Sequence, residues 1–184
     1  MESRPEPVLR VAVPADAPRI DALMKASLSA IFPTFYDGAQ TASAVVHIAH
    51  VDPMLLDDGT YFVLESVDEL VACGGWSRRD KLFSGEAAQE GLARLLDPGT
   101  EAARVRAMFV RGDWTRRGLG TRILDACQAA ARAEGFTRLS LMATLPGVLL
   151  YERWGFRRLR DVEITMPDGV RLACVEMDRP VDPA

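Results

Sequence analysis

The 184-residue chain is long enough for one domain with a sizeable core, and 48% hydrophobic with 26% charged residues is the make-up of a globular protein. A net charge of −4 and the lack of any basic block argue against nucleic acid as a main partner; the arginines cluster locally, at Arg116-Arg117 and Arg157-Arg158, which suits a small anionic ligand. No run is long enough to cross a bilayer, residues 1–7 lack the apolar centre of a signal peptide, and Cys73, Cys127 and Cys174 stand far apart with no CxxC pair or His cluster. No membrane partner, zinc site or disulfide framework is therefore indicated, and a reducing cytoplasm is the expected compartment.

Residues 8–13 read as a first strand, ended by Pro14. Asp16 is placed to cap a helix over 17–31, whose Ile20, Leu23, Met24, Ser27 and Leu28 fall on one face. Pro33 and Gly38 break the chain at 31–38, and a second helix is expected over 39–51, where Ala42, Val45, Val46 and Ala49 have helical spacing. After a turn at Asp57-Asp58-Gly59, residues 60–66 and 69–77 look like antiparallel strands joined at Val67-Asp68. Residues 78–99 read as a long connection holding a short helix around 87–96 and a turn at Asp97-Pro98-Gly99.

A strand follows over 104–110. The strongest helical pattern covers 117–134, with Leu119, Ile123, Cys127 and Ala130 as its apolar stripe and Gly135 as its stop. A strand over 137–143, a short helix over 146–154 and a hairpin of 156–165 and 170–177 about Pro167-Asp168-Gly169 complete the chain. This order predicts a mixed α/β (α+β) layer structure with one central sheet, in a single domain over 1–184.

The segment Arg116-Arg117-Gly118-Leu119-Gly120-Thr121 sits where a strand gives way to a helix. Glycines let a ligand approach the backbone, and a helix N-terminus offers unpaired N–H groups with a partial positive charge, so the segment suits a pyrophosphate. Taken alone, the segment has as its alternative reading a tight turn with solvated arginines. A P-loop needs Lys and Ser/Thr directly after the last glycine, where Thr121-Arg122 stands; a dinucleotide fingerprint needs a third glycine where Ile123 stands.

Downstream, Tyr151-Glu152-Arg153-Trp154-Gly155-Phe156 places a tyrosine on a short helix that ends at a glycine. Together the two motifs, over about 104–156, resemble the GCN5-related N-acetyltransferase (GNAT) superfamily. In that family a strand ending in Val-x-Pro leads into Gln/Arg-x-x-Gly-x-Gly/Ala, then a helix, a strand and Tyr-x-x-x-Gly-Phe. This chain departs from the pattern at Gly112 for Pro, at Thr115 for Gln/Arg and at Thr144, where many members have Asn.

The resemblance implies a central mixed, mostly antiparallel sheet of about seven strands flanked by helices. It implies acetyl-CoA as cosubstrate, no metal, and a primary amine of an unidentified, small-molecule acceptor attacking the thioester directly. The alternatives are acetylation of a protein N-terminus or lysine, or a non-catalytic acyl-CoA-binding module. Cofactor contacts fall to Met108, Phe109 and Val110, where the strand would splay from its neighbour, to Arg116, Arg117, Gly118, Leu119, Gly120 and Thr121, and to Thr144 and Gly147. A free N–H near Val110 would hold the oxyanion, and Tyr151 would protonate the departing thiolate. Tyr151 also fits an amphipathic core position. Glu65, Glu101, His47 and His50 qualify as general base by residue type alone, and Phe32, Phe35, Tyr36 and Trp76 are available to line an acceptor pocket, with Asp37 and Glu65 to attract an amine. A homodimer is compatible with the sequence and not required by it.

Overall fold

The computed structural model describes residues 5–81 and 94–183. Among these, seven strands form one sheet: β1 (Val8–Val11), β2 (Tyr61–Ser66), β3 (Glu69–Ser77), β4 (Ala103–Val110), β5 (Arg138–Thr144), β6 (Arg157–Thr165) and β7 (Arg171–Pro180). Their spatial order is β1-β2-β3-β4-β5-β7-β6, and every neighbouring pair is antiparallel except β4 with β5. This is the expected mixed, mostly antiparallel sheet.

Helices α1 (Ala17–Ile31), α2 (Gly38–His47) and α3 (Pro53–Asp57) cover one face, and α4 (Leu119–Ala133) and α5 (Val148–Trp154) cover the other. The burial follows the sequence pattern. On α1 the buried residues are Ile20, Leu23, Met24, Ser27 and Leu28. On α4 they are Leu119, Gly120, Ile123, Leu124, Cys127 and Ala131, one stripe at helical spacing. No described helix is long and apolar enough to cross a membrane.

Several expectations need correction. The second helix stops at His47, and Pro53 starts a separate helix whose Asp52 caps it through Met54 N–H at 3.0 Å. Asp16 does not cap α1; its carboxylate is taken by Arg10 (2.7 Å) and by Val13 N–H (2.9 Å) instead. The helix expected around 87–96 lies mostly outside the described residues, but Leu95, at its end, bridges Arg79 as extended chain. Strand β7 runs three residues further than expected, to Pro180, because β5 pairs with it along its whole length.

Two irregularities shape the centre of the sheet. Strands β4 and β5 pair only at Ala103↔Leu139 and Arg104↔Ser140, and beyond that they part. In β4, Ala107 and Met108 together face Gly74 of β3, since Arg106 pairs with Gly75 and Phe109 with Cys73. This is a β-bulge, and its first residue, Ala107, has φ of +53°.

Candidate active site

The parting of β4 and β5 opens a slot at the C-terminal end of both strands. Arg111 N–H donates to Val71 O at 2.9 Å, so Ala72↔Val110 is a non-hydrogen-bonded pair, and Val110 turns both its N–H and its C=O away from β3. The carbonyl is held by Ser27 Oγ on α1 at 2.7 Å. The N–H faces the slot, where β5 no longer runs alongside to accept it. Side chains alternate: Met108 and Val110 pack toward α4, Phe109 toward α1.

Below the slot the chain turns through Gly112–Trp114, where Thr115 Oγ1 is tied to Gly112 O at 3.0 Å. Arg116 (φ +59°) and Gly118 (φ +75°) are both left-handed, and this double reversal delivers the chain into α4. The first bond that closes the helix runs from Arg122 N–H to Gly118 O at 3.1 Å, leaving the N–H groups of Leu119, Gly120 and Thr121 without an intrahelical acceptor. The Arg117 guanidinium lies 4.9 Å over the Trp114 ring beside these donors. Free N–H groups, the helix dipole and a stacked cation together suit a diphosphate. Gly120 also has a packing reason of its own, since a β-carbon there would come within 2.6 Å of Leu150 Cδ2 on α5.

The chain has three tyrosines, and two of their hydroxyls are committed. Tyr36 donates to Ala173 O at 2.7 Å and accepts Leu145 N–H at 2.9 Å; Tyr61 donates to Ala107 O at 2.6 Å. Tyr151 is 8% exposed and packs edge-on against Phe156, yet no hydrogen bond among the described residues engages its hydroxyl. Burial pushes this phenol above its usual range, with a smaller contribution from Cys127. Thr144 and Gly147 occupy the junction that carries β5 into α5, and the Tyr151 ring fills the space a side chain on Gly147 would need.

The model of the acetyltransferase (GNAT) domain family matches residues 57–158, a span that contains the slot, the helix mouth and Tyr151. The chain belongs to the GNAT family. Among solved structures, a GCN5-related N-acetyltransferase (also described as an aminotransferase, class-II) from Rhodopseudomonas palustris has a TM-score of 0.72 at 17% identity, with 98% of this chain and 99% of that chain covered. PaiA N-acetyltransferase from Thermoplasma acidophilum, in complex with coenzyme A, gives 0.66 at 10% identity, with 96% and 99% covered. The ribosomal-protein-S18-alanine N-acetyltransferase from Escherichia coli gives 0.59 at 14%, with 97% and 96% covered. At these identities the likeness concerns the fold. By sequence, no curated protein matches significantly.

On the far side of the sheet from α4, this GNAT chain builds a wall from the α1–α2 loop and the β6–β7 hairpin. Phe32 and Tyr36 pack at 4.9 Å between ring centroids, and Phe35 is 46% exposed beside them. The hairpin is tied to α2 through Asp168, which takes Ser43 Oγ at 2.9 Å and lies 3.4 Å from His47 Nε2. Trp76 does not join this wall; it is buried on the α4 face against Phe136.

The proposed bases fare unevenly. Glu65 is held by Arg10 at 2.9 Å and Arg19 at 2.6 Å, which lowers its pKa, and Glu101 is held by Arg94 and Asp97 N–H at about 2. Neither reaches the slot as a free carboxylate. Asp37 caps α2 through Gln40 N–H at 2.8 Å. His47 contacts the hairpin, and His50 is exposed in the turn after α2. No described group of three or more His, Cys, Asp or Glu is placed to hold a metal. Ser27 escaped sequence reading as a site residue, although a serine within an apolar helix stripe already signals a buried hydroxyl that needs a partner.

Proposed function

We propose that the chain is an acetyl-CoA-dependent N-acetyltransferase acting on the primary amine of a small molecule. The observation that carries this reading is the pairing of the slot, with Val110 N–H facing into it, and the open N–H groups at the start of α4. A pantetheine arm laid between β4 and β5 joins a diphosphate at the helix mouth to a thioester beside Val110.

The amine nitrogen attacks the thioester carbon and forms the C–N bond. Val110 N–H stabilises the oxyanion; the residue's own carbonyl, across Cα in the next peptide, is already tied to Ser27, which helps hold the donor's direction before charge develops. Collapse breaks the C–S bond, and the thiolate takes its proton from Tyr151, the tyrosine with an uncommitted hydroxyl. The proton released by nitrogen passes to solvent, from which Tyr151 is replenished. Burial raises the phenol, which alone would make it a weaker acid. Burial acts on thiols in the same direction, as at Cys127 in the core that holds Tyr151, so a thiolate leaving in that slot would be the more basic acceptor as well.

The test is release of free CoA from acetyl-CoA across a panel of small amines, amino-terminal peptides and lysine peptides. Turnover confined to small amines is expected. Turnover with peptides alone moves the acceptor to protein, and acetyl-CoA binding without turnover on any amine leaves a binding module. A melting temperature raised by NAD or ATP as much as by acetyl-CoA would remove the CoA assignment itself.

A further inference from the structure

Resting on the acetyltransferase reading, we infer that Tyr61 is a positioning residue for the acyl-transfer site, acting through the bulge in β4. Tyr61 lies on β2, two strands away from the slot, and is fully buried on the face opposite α4. Its hydroxyl reaches past β3 and donates to Ala107 O at 2.6 Å. The passage is open because β3 carries Gly75 there: a β-carbon at Gly75 would come within 2.7 Å of Tyr61 Cδ2.

Ala107 is the residue that needs holding. It is the first residue of a two-against-one bulge and has φ of +53°, a place where glycine is the usual occupant because a β-carbon is strained there. Its carbonyl has left the β3 ladder, and the hydroxyl of the fully buried Tyr61 replaces the lost partner. The adjoining Gly74 makes room for the other bulged residue, since a β-carbon on it would meet Met108 Sδ at 2.2 Å. One extra residue in β4 sets the phase of everything after it. Without the bulge Val110 would exchange its outward N–H for one facing β3. The orientation of the proposed oxyanion donor thus depends on a strained alanine, and that alanine depends on Tyr61.

The test is a double-variant cycle of Tyr61→Phe and Ala107→Gly. It reads the melting temperature, kcat with an accepted amine, and the ratio of acetyl-CoA to CoA affinity, which senses the thioester carbonyl without turnover. Tyr61→Phe keeps the ring and should lower kcat about 10-fold or more, leave CoA affinity within about twofold, and erase any preference for acetyl-CoA. Ala107→Gly alone supplies the reference corner of the cycle, against which the double variant is read. In the double variant glycine adopts the positive φ freely, so at least about threefold of the lost kcat should return. Should Tyr61→Phe alone fail to fold, the double variant must fold and keep its acetyl-CoA preference. A fully active Tyr61→Phe protein, or a double variant no better than Tyr61→Phe, overturns the role. A wild-type protein that binds CoA and shows no turnover on any amine would instead sink the acetyltransferase reading beneath it.

Discussion

The Tyr151 ring occupies the space left by the missing side chain of Gly147: a β-carbon at Gly147 would stand 2.7 Å from Tyr151 Cε2. Gly147→Ala should therefore turn the ring, lowering kcat about 10-fold and the melting temperature together. Tyr151→Phe keeps the packing, so it should cost about 10²-fold in kcat with little change in stability or CoA affinity. Single-turnover kinetics with calorimetric CoA binding separates the two. Wild-type chemistry in the Phe variant would return Tyr151 to the core.

The pH dependence of turnover follows from the raised phenol. Burial keeps Tyr151 protonated beyond its ordinary value of about 10. With acetyl-CoA saturating, kcat should rise as the amine loses its proton and then stay level to pH 10, without the falling limb of a lost acid. A decline with an apparent pKa under 9 identifies a different proton donor.

Gly118 and Gly120 belong to one motif but answer to different physics. Gly118 has φ of +75° and nothing within 4 Å of its absent β-carbon, so Gly118→Ala should cost about 1–2 kcal/mol from backbone strain alone. Gly120 is right-handed and limited by Leu150, so Gly120→Val should cost about 1–3 kcal/mol by overpacking and push α5, with Tyr151, away from α4. Chemical denaturation of both variants, with kcat measured in each, decides it. A Gly120→Val protein of native stability that merely binds CoA weakly would favour a phosphate role for that glycine.

Asp16 should contribute a pH-dependent part of stability. Donation from Arg10, opposed by burial and helped by Val13 N–H, holds its carboxyl down from 3.8 to about 2. The folded form therefore favours the carboxylate, and the stabilisation, roughly 2 kcal/mol for a side chain 6% exposed, is complete above about pH 4 and is lost as pH falls through about 2. Asp16→Asn should flatten the stability profile between those limits. An identical acid limb in the variant assigns the effect to other carboxylates.

What could be read in the sequence was whatever is local and periodic. The stripe Leu119, Ile123, Cys127 marks α4 because burial on a helix repeats every three or four residues, and Gly155 closes α5 at φ +107° as a helix-ending glycine should. Tyr151 was legible through its spacing to Gly155 and Phe156. The bulge was not, since its left-handed position carries Ala107 rather than a glycine, and its partner Tyr61 is 46 residues away. Trp76 was misplaced for a related reason: alternation along β3 separates its two sets of side chains without saying which helix lies over each. Asp16 looked like a cap because it precedes a helix, but a buried carboxylate goes to the strongest donor in reach, here Arg10.

Tyr36 ties the α1–α2 loop to two strands at once, through Leu145 N–H after β5 and Ala173 O on β7. For anyone retargeting this scaffold to new amines, that joint divides the loop into a part to vary and a part to keep. Phe35, its immediate neighbour, is open to solvent and engages no such bond, so a library at Phe35 can change the shape of the wall proposed to meet the acceptor while the end of β5 stays where Tyr36 holds it. Randomising Tyr36 as well would alter acceptor fit and slot geometry together, and selected variants would carry both changes mixed.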